Sequence, residues 1–116
     1  MVKSTNRQGL FPRRRAADLL RPLVAERYED VSLQLAFARA SELAGDPVRA
    51  GEAHAEVALL SGNISDALWQ LQGLIKRPDI DYYQRARIEA RIQDVTPYAL
   101  DQRKKLAPQQ RLGLTD

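Results

Sequence analysis

The segment Leu43-Ala44-Gly45-Asp46-Pro47-Val48 is the strongest structural signal in the chain, because it ends one helix and begins another almost at once. Glycine accepts the left-handed backbone conformation that commonly follows the end of a helix. An aspartate side chain can cap the start of the next helix, and proline is favoured at its first position. Gly45, Asp46 and Pro47 therefore predict two helices that fold back on each other.

Apolar residues with helical spacing lie on both sides of this turn. Before it, Leu33, Ala36, Phe37, Ala40 and Leu43 recur every three or four residues. Asp30 or Ser32 can cap that helix. After the turn, a helix is predicted over residues 47–60, and it ends at a second glycine turn, Ser61-Gly62-Asn63. The chain thus repeats a pattern of helix and turn.

The repeat has a measurable period. Gly45 and Gly62 are 17 residues apart, and so are Ala50 and Ala67, so the small residue recurs in register. Ala16 precedes Ala50 by 34 residues, which is twice this period. The predicted unit is a pair of antiparallel helices.

Further segments with helical periodicity are residues 14–27, 65–76 and 81–95. Pro22 predicts a bend or an early end in the first of them. Thr96 and Pro97 are typical of a cap followed by a first-position proline, which predicts a separate short helix over residues 98–106. The sequence therefore predicts an all-α protein of five or six antiparallel helices.

Composition excludes several kinds of chemistry. The chain has 116 residues, no cysteine and one histidine, His54, which excludes disulfides, thiol nucleophiles and cysteine-based metal sites. It contains no nucleophile elbow, no phosphate-binding glycine loop and no pair of histidines at helical zinc spacing. We expect no catalytic residue, no cofactor and no metal site, and we interpret His54 as a packing or groove residue.

Charge is distributed unevenly. Residues 1–15 carry five Lys or Arg and no acid, and residues 101–116 carry four bases and two acids, whereas the middle of the chain is acidic. We expect a flexible basic arm at residues 1–13, a helical-repeat domain at residues 14–106 and a flexible tail at residues 107–116. No apolar stretch approaches the length of a transmembrane helix, and no signal peptide is expected.

A two-helix unit of 34 residues with a glycine at its turn resembles the tetratricopeptide repeat. In that alignment Phe37 and Ala38 match the large and small pair of the first helix, and Ala50 matches the small residue of the second. The resemblance implies a right-handed α-solenoid that binds an extended peptide or a partner protein.

A finer resemblance involves Ala67-Leu68-x-x-Leu71 and the string Tyr83-Gln84-Arg85-Ala86-Arg87-Ile88-Glu89-Ala90-Arg91-Ile92. It is similar to the carboxy-terminal repeat domain of periplasmic zinc metallopeptidases of the β-barrel assembly-enhancing type. The resemblance implies an accessory or regulatory domain in envelope protein quality control, located in the periplasm. The implied partners are an upstream peptidase domain or outer-membrane assembly proteins. The family's His-Glu-x-x-His motif does not occur in this chain, so its activity is not transferred.

Six residues are predicted to bind a protein partner: Leu35, Arg39, Glu42, Trp69, Arg87 and Arg91. The first three occupy positions that usually line the concave face of such a repeat. Arg87 and Arg91 share one helix face and could bind carboxylates. Trp69 is an inter-helix packing residue, or an interface residue if it is exposed.

Two other functions remain open at this point. The basic arms could bind nucleic acid or an anionic membrane, with a steep salt dependence. Alternatively, an uncovered end of the helical stack could pair two copies of the chain. Because the positive charge lies in the arms and not on the predicted folded body, we favour a protein partner over nucleic acid.

Overall fold

The structure is a computed structural model that describes the backbone of residues 2–115 and the side chains of residues 14–105. Over these residues the chain forms five helices and no β-strand: α1 (Val2–Glu26), α2 (Val31–Leu43), α3 (Pro47–Leu60), α4 (Ile64–Ile75) and α5 (Tyr82–Thr115). The prediction of an all-α protein is confirmed. The basic arm predicted at residues 1–13 and the tail predicted at residues 107–116 lie outside the residues with described side chains.

The two glycine turns have the same geometry. Gly45 and Gly62 have positive φ angles of 78° and 85°. After α2, the Gly45 and Asp46 amides donate to the Glu42 and Ser41 carbonyls at 3.1 and 2.9 Å. After α3, the two amides at the equivalent positions bond in the same pattern at 3.1 and 2.8 Å. Both turns are Schellman motifs, so the predicted repeat of helix and turn is present in the backbone.

Aspartate caps define three helix starts. Asp30 and Asp46 accept hydrogen bonds from the Leu33 and Arg49 amides at 3.1 and 3.0 Å. Asp81 and Gln84 bond each other's backbone amides reciprocally, at 2.7 and 2.9 Å, which is a capping box at the start of α5. Of the two candidates for the α2 cap, Asp30 fills the position.

The core is built mainly from small side chains. One buried cluster comprises Ala17, Phe37, Ala38, Ala40 and Ala53, and a second comprises Val48, Ala55, Leu71, Leu74 and Ile88. Alanine at these positions lets the helix backbones approach closely. Gly51 also allows a close approach of two helices, since a Cβ atom there would lie 2.7 Å from Leu74 Cδ2.

Each helix packs mainly against its neighbours in sequence, in the order α1, α2, α3, α4 and α5. Such nearest-neighbour packing is characteristic of helical-repeat proteins. No helix in the described part of the chain combines the length and apolar character that crossing a bilayer requires.

The structure differs from the prediction at two prolines. Pro22 lies within α1, which continues to Glu26, so the early end predicted there is wrong. The break predicted at Thr96-Pro97 is also wrong, because α5 continues through both residues. Thr96 Oγ1 donates to the Ile92 carbonyl at 2.7 Å, and Val95 and Ala99 are buried on either side of the proline. Burial of this face keeps the segment helical despite the hydrogen bond that proline removes.

Candidate functional site

Two bidentate ion pairs connect α3 with α5. Arg87 Nε and Nη2 donate to the two carboxylate oxygens of Glu52 at 2.6 and 2.7 Å. Arg91 binds Glu56 in the same way, with both distances 2.7 Å. In both pairs the partners are 35 residues apart in sequence. The second pair lies four residues after the first on α3 and also on α5, so the two helices run parallel. All four side chains are partly buried.

These ion pairs form the polar part of a groove of about 260 Å³. The lining residues are Val24, Gln34, Phe37, Arg49, Glu52, Ala53, Glu56, Leu71, Arg87, Ala90, Arg91 and Asp94. Apolar side chains from α1, α2, α3, α4 and α5 thus meet a row of charged groups from α3 and α5. An apolar surface with a few fixed polar groups is the usual composition of a recognition site.

A neighbouring cavity of about 280 Å³ continues the groove. Arg91 and Asp94 line both cavities, and Tyr28 and Tyr98 line the second one. Both tyrosines expose more than half of their surface, at 51% and 64%. Exposed tyrosines next to an apolar groove are typical of protein-binding surfaces, where the ring packs and the hydroxyl stays hydrated.

The charges along the groove follow a definite order. Arg49 lies one turn before Glu52 on α3, and Asp94 lies about one turn after Arg91 on α5. Within residues 14–105 the Arg49 guanidinium makes no ion pair, and the only ion-pair contact of Asp94 is 3.8 Å from Arg91 Nη1. The groove thus has a cation without a close partner at one end and a weakly paired carboxylate at the other.

Electrostatics distinguish Arg49 from the two paired arginines. Hydrogen bonding to Glu52 raises the pKa of Arg87, and hydrogen bonding to Glu56 raises that of Arg91. Burial lowers the pKa of Arg49, and the positive charge of Arg87 lowers it further. The Arg49 guanidinium is therefore a cation in an unfavourable environment, which an added carboxylate would improve.

The structure places Leu35, Arg39 and Glu42 together, but away from this groove. With Leu43 and His54 they line a separate depression between α2 and α3 of about 520 Å³. His54 Nε2 lies 2.8 Å from Glu42 Oε1, and both side chains are about half exposed. His54 is thus at the edge of a surface depression.

Trp69 lines none of these three cavities. Its side chain is exposed on α4, with 73% of its surface accessible. Of the two roles considered for this residue, inter-helix packing is therefore wrong. Its role as an interface residue stays a prediction.

The sequence prediction missed Arg49, Glu52, Glu56 and Asp94. A signal was available, since Glu52 and Glu56 have the same four-residue spacing as Arg87 and Arg91, and lie 35 residues before them. That offset is one residue more than the 34-residue period. In a stack of two-helix units, an offset close to one period places the two glutamates and the two arginines on equivalent faces of parallel helices.

Within the described residues, no three His, Asp or Glu side chains are grouped so that they could hold a metal ion. The Glu52 and Glu56 carboxylates in the groove each accept two hydrogen bonds from an arginine. The arrangement is suited to binding.

Comparison of the chain with protein-family models, curated proteins and solved structures gives no match. A proposal for the function therefore rests on the groove and on the sequence resemblances.

Proposed function

We propose that this chain is a non-catalytic protein-interaction module built from tetratricopeptide-like helix pairs, and that it binds a partner segment in the groove between α3 and α5. The observation that carries the proposal is the groove itself, in which apolar side chains lie beside a fixed row of charged groups. Such a surface provides both contact area and orientation for an incoming peptide.

The repeat interpretation is supported by three features of the structure. The two Schellman turns are alike, the packing runs between consecutive helices, and the ion pairs repeat with an offset of 35 residues. In proteins with stacked helix pairs, equivalent helices of successive units run parallel and form extended binding surfaces. The parallel arrangement of α3 and α5 agrees with this scheme.

Selection of binding peptides from a random display library tests the proposal. The selected peptides are synthesised, and their Kd values are measured by fluorescence anisotropy at 0.15 M salt. Ala90→Trp places a large ring in the groove at an exposed position, and we expect it to weaken binding about tenfold or more. The matched control is Ala86→Trp, an exposed alanine one turn earlier on α5 that does not line the groove.

Circular dichroism and thermal unfolding establish that both variants are folded. Equal affinity of the Ala90→Trp and Ala86→Trp variants would contradict the proposed location. If Arg39→Ala and Glu42→Ala removed binding instead, the site would be the depression between α2 and α3.

At a finer level we propose, from the sequence resemblance, that the module is the accessory or regulatory domain of a bacterial periplasmic zinc metallopeptidase. The supporting string contains Arg87 and Arg91, whose side chains pair with α3, and Ile88, which is buried. Three residues of the string therefore have contacts within this fold.

Adding the module to the catalytic domain of a His-Glu-x-x-His peptidase of that group tests the finer proposal. We expect a saturable change in the rate of casein cleavage, which the Ala90→Trp variant would not produce. An unchanged rate at saturating concentrations would restrict the account to a peptide-binding module.

A further inference from the structure

The groove between α3 and α5 has opposite charges at its two ends. Its order along the helices is Arg49, then the Glu52–Arg87 pair, then the Glu56–Arg91 pair, then Asp94. The two middle pairs are internally neutral. Net charge is therefore concentrated at the ends, with a cation at Arg49 and an anion at Asp94.

The positive end of the groove is electrostatically unfavourable. Arg49 is partly buried and makes no ion pair among the described side chains, and its charged neighbours are the cations of Arg87 and Arg21 and the carboxylates of Glu52 and Asp46. Burial and these cations lower the pKa of Arg49. A carboxylate brought into the groove would relieve this unfavourable environment.

The negative end is open to a cation. The Asp94 side chain is 70% exposed, and its contact with Arg91 Nη1 is long, at 3.8 Å. It lies where the groove meets the cavity lined by Tyr28 and Tyr98. An ammonium or guanidinium group at this place would contact Asp94 and could also lie over a tyrosine ring.

The separation of the two ends fixes the length of the ligand. Along α3, Glu56 lies seven positions after Arg49. Glu56 is paired with Arg91 of α5, and Asp94 lies three positions after Arg91. Ten helical residues correspond to about 15 Å. An extended peptide covers this distance in about five residues.

We propose that the groove selects an extended segment of a partner protein in which one acidic and one basic side chain are about five residues apart with apolar residues between them. The acidic side chain binds Arg49, the basic one binds Asp94, and the apolar residues contact Val24 and Ala90, the apolar lining residues that are not buried. This inference rests on the proposed function and names the class of peptide that the groove accepts.

Four synthetic peptides of equal length test the inference by fluorescence anisotropy at 0.15 M salt. They share a Leu-Ala-Leu-Ala centre and carry, at the two ends, Glu and Lys, Glu and Glu, Lys and Lys, or Gln and Gln. We expect the Glu and Lys peptide to bind the wild-type chain about fivefold more tightly than each of the others.

Charge reversal then changes the preference in a defined way. Arg49→Glu makes both ends negative and should favour the Lys and Lys peptide, whereas Asp94→Lys should favour the Glu and Glu peptide. The double variant should again favour the Glu and Lys peptide, bound in the opposite direction. Arg103→Glu and Asp101→Lys are matched controls on an exposed stretch of α5 and should leave the preference unchanged.

The outcomes separate this inference from the proposed function. If all four peptides bind with equal affinity and Ala90→Trp abolishes that binding, the groove binds peptides but the charge selection is wrong. If no peptide binds, or if Ala90→Trp has no effect, the proposed function fails as well. A preference that also changes in the Arg103→Glu variant would reflect net charge and would overturn the inference.

Discussion

Arg87 and Arg91 each hold a glutamate of α3 through two hydrogen bonds, and these are the contacts that join parallel helices across the groove. Planar guanidinium and carboxylate groups fit each other in this bidentate geometry, which gives direction as well as attraction. Partial exposure reduces the electrostatic gain, since water screens the charges. We therefore assign these pairs mainly to fixing the relative position of α3 and α5.

A double-mutant cycle on Glu52→Gln and Arg87→Gln measures this contribution. We expect a coupling free energy of about 1 kcal/mol from urea unfolding, because the pair is bidentate and partly buried. The control cycle uses Arg85 and Glu89, a pair in the same helix with one contact of 3.9 Å and about half-exposed side chains. That cycle should give less than about 0.5 kcal/mol, and equal values in the two cycles would contradict the structural role.

Two helical glycines give a second prediction at the residue scale. A methyl group at Gly51 would meet the buried Leu74 side chain at 2.7 Å, whereas nothing lies within 4 Å of the same position at Gly73. Gly73→Ala should stabilise the protein by up to about 1 kcal/mol through helix propensity. Gly51→Ala should be less stable than Gly73→Ala by about 1 to 3 kcal/mol because of overpacking.

Thermal and urea unfolding of the two variants provide the comparison. Equal stability of the Gly51→Ala and Gly73→Ala variants would show that α3 and α4 are not in close contact at this point.

Residue-level prediction from sequence worked where the determinant is local. Gly45 ends α2 and Asp46 caps α3, and both roles depend only on residues next to them in sequence. The partners of Arg87 and Arg91 could not be read in this way, because a pair separated by 35 residues depends on how the helices are arranged. The exposure of Trp69 also depends on tertiary packing.

At the scale of elements, α5 is the clearest departure from local rules. Pro97 has no amide hydrogen to donate, and a proline in a helix interior costs about 3 kcal/mol relative to alanine. The helix nevertheless continues through it, and Val95 and Ala99 are buried. Tertiary burial therefore outweighs the local signal that Thr96 and Pro97 give for a new helix.

Pro97→Ala tests the continuity of α5 directly. In a continuous helix the substitution restores a hydrogen bond, and we expect the free energy of unfolding to rise by about 1 to 3 kcal/mol. If Pro97 were the first residue of a separate helix, alanine would be neutral or slightly destabilising. Thermal unfolding followed by circular dichroism distinguishes the two results.

Helix boundaries were predictable where capping residues mark them. The limits of α3 agree with the prediction of residues 47–60, since a capped proline start and a glycine end leave little freedom. Thr96 and Pro97 were misleading because they satisfy a local rule that packing overrides, whereas at Pro22 the early end is wrong and the bend stays a prediction. The prediction of a new helix at residue 98 is wrong for this physical reason.

At the scale of the whole molecule, the packing order determines where a binding surface can form. Consecutive helices pack side by side, and the groove forms where the partly exposed Val24 and Ala90 lie beside the charged side chains of α3 and α5. The helical spacing of the apolar residues predicted the all-α class, and the glycine turns predicted that consecutive helices are antiparallel. It did not predict that the charged groove lies between α3 and α5, because that depends on the spatial stacking of the units.

Chemical-shift mapping shows residue by residue whether a peptide binds in the groove between α3 and α5. A peptide from the display selection is titrated into ¹⁵N-labelled protein, and the amide shifts are followed. We predict the largest changes at Arg49, Ala53, Glu56, Ala90 and Asp94, with small changes on the exposed face of α2. Shifts concentrated at Leu35, Arg39 and Glu42, or spread evenly over the chain, would contradict the account.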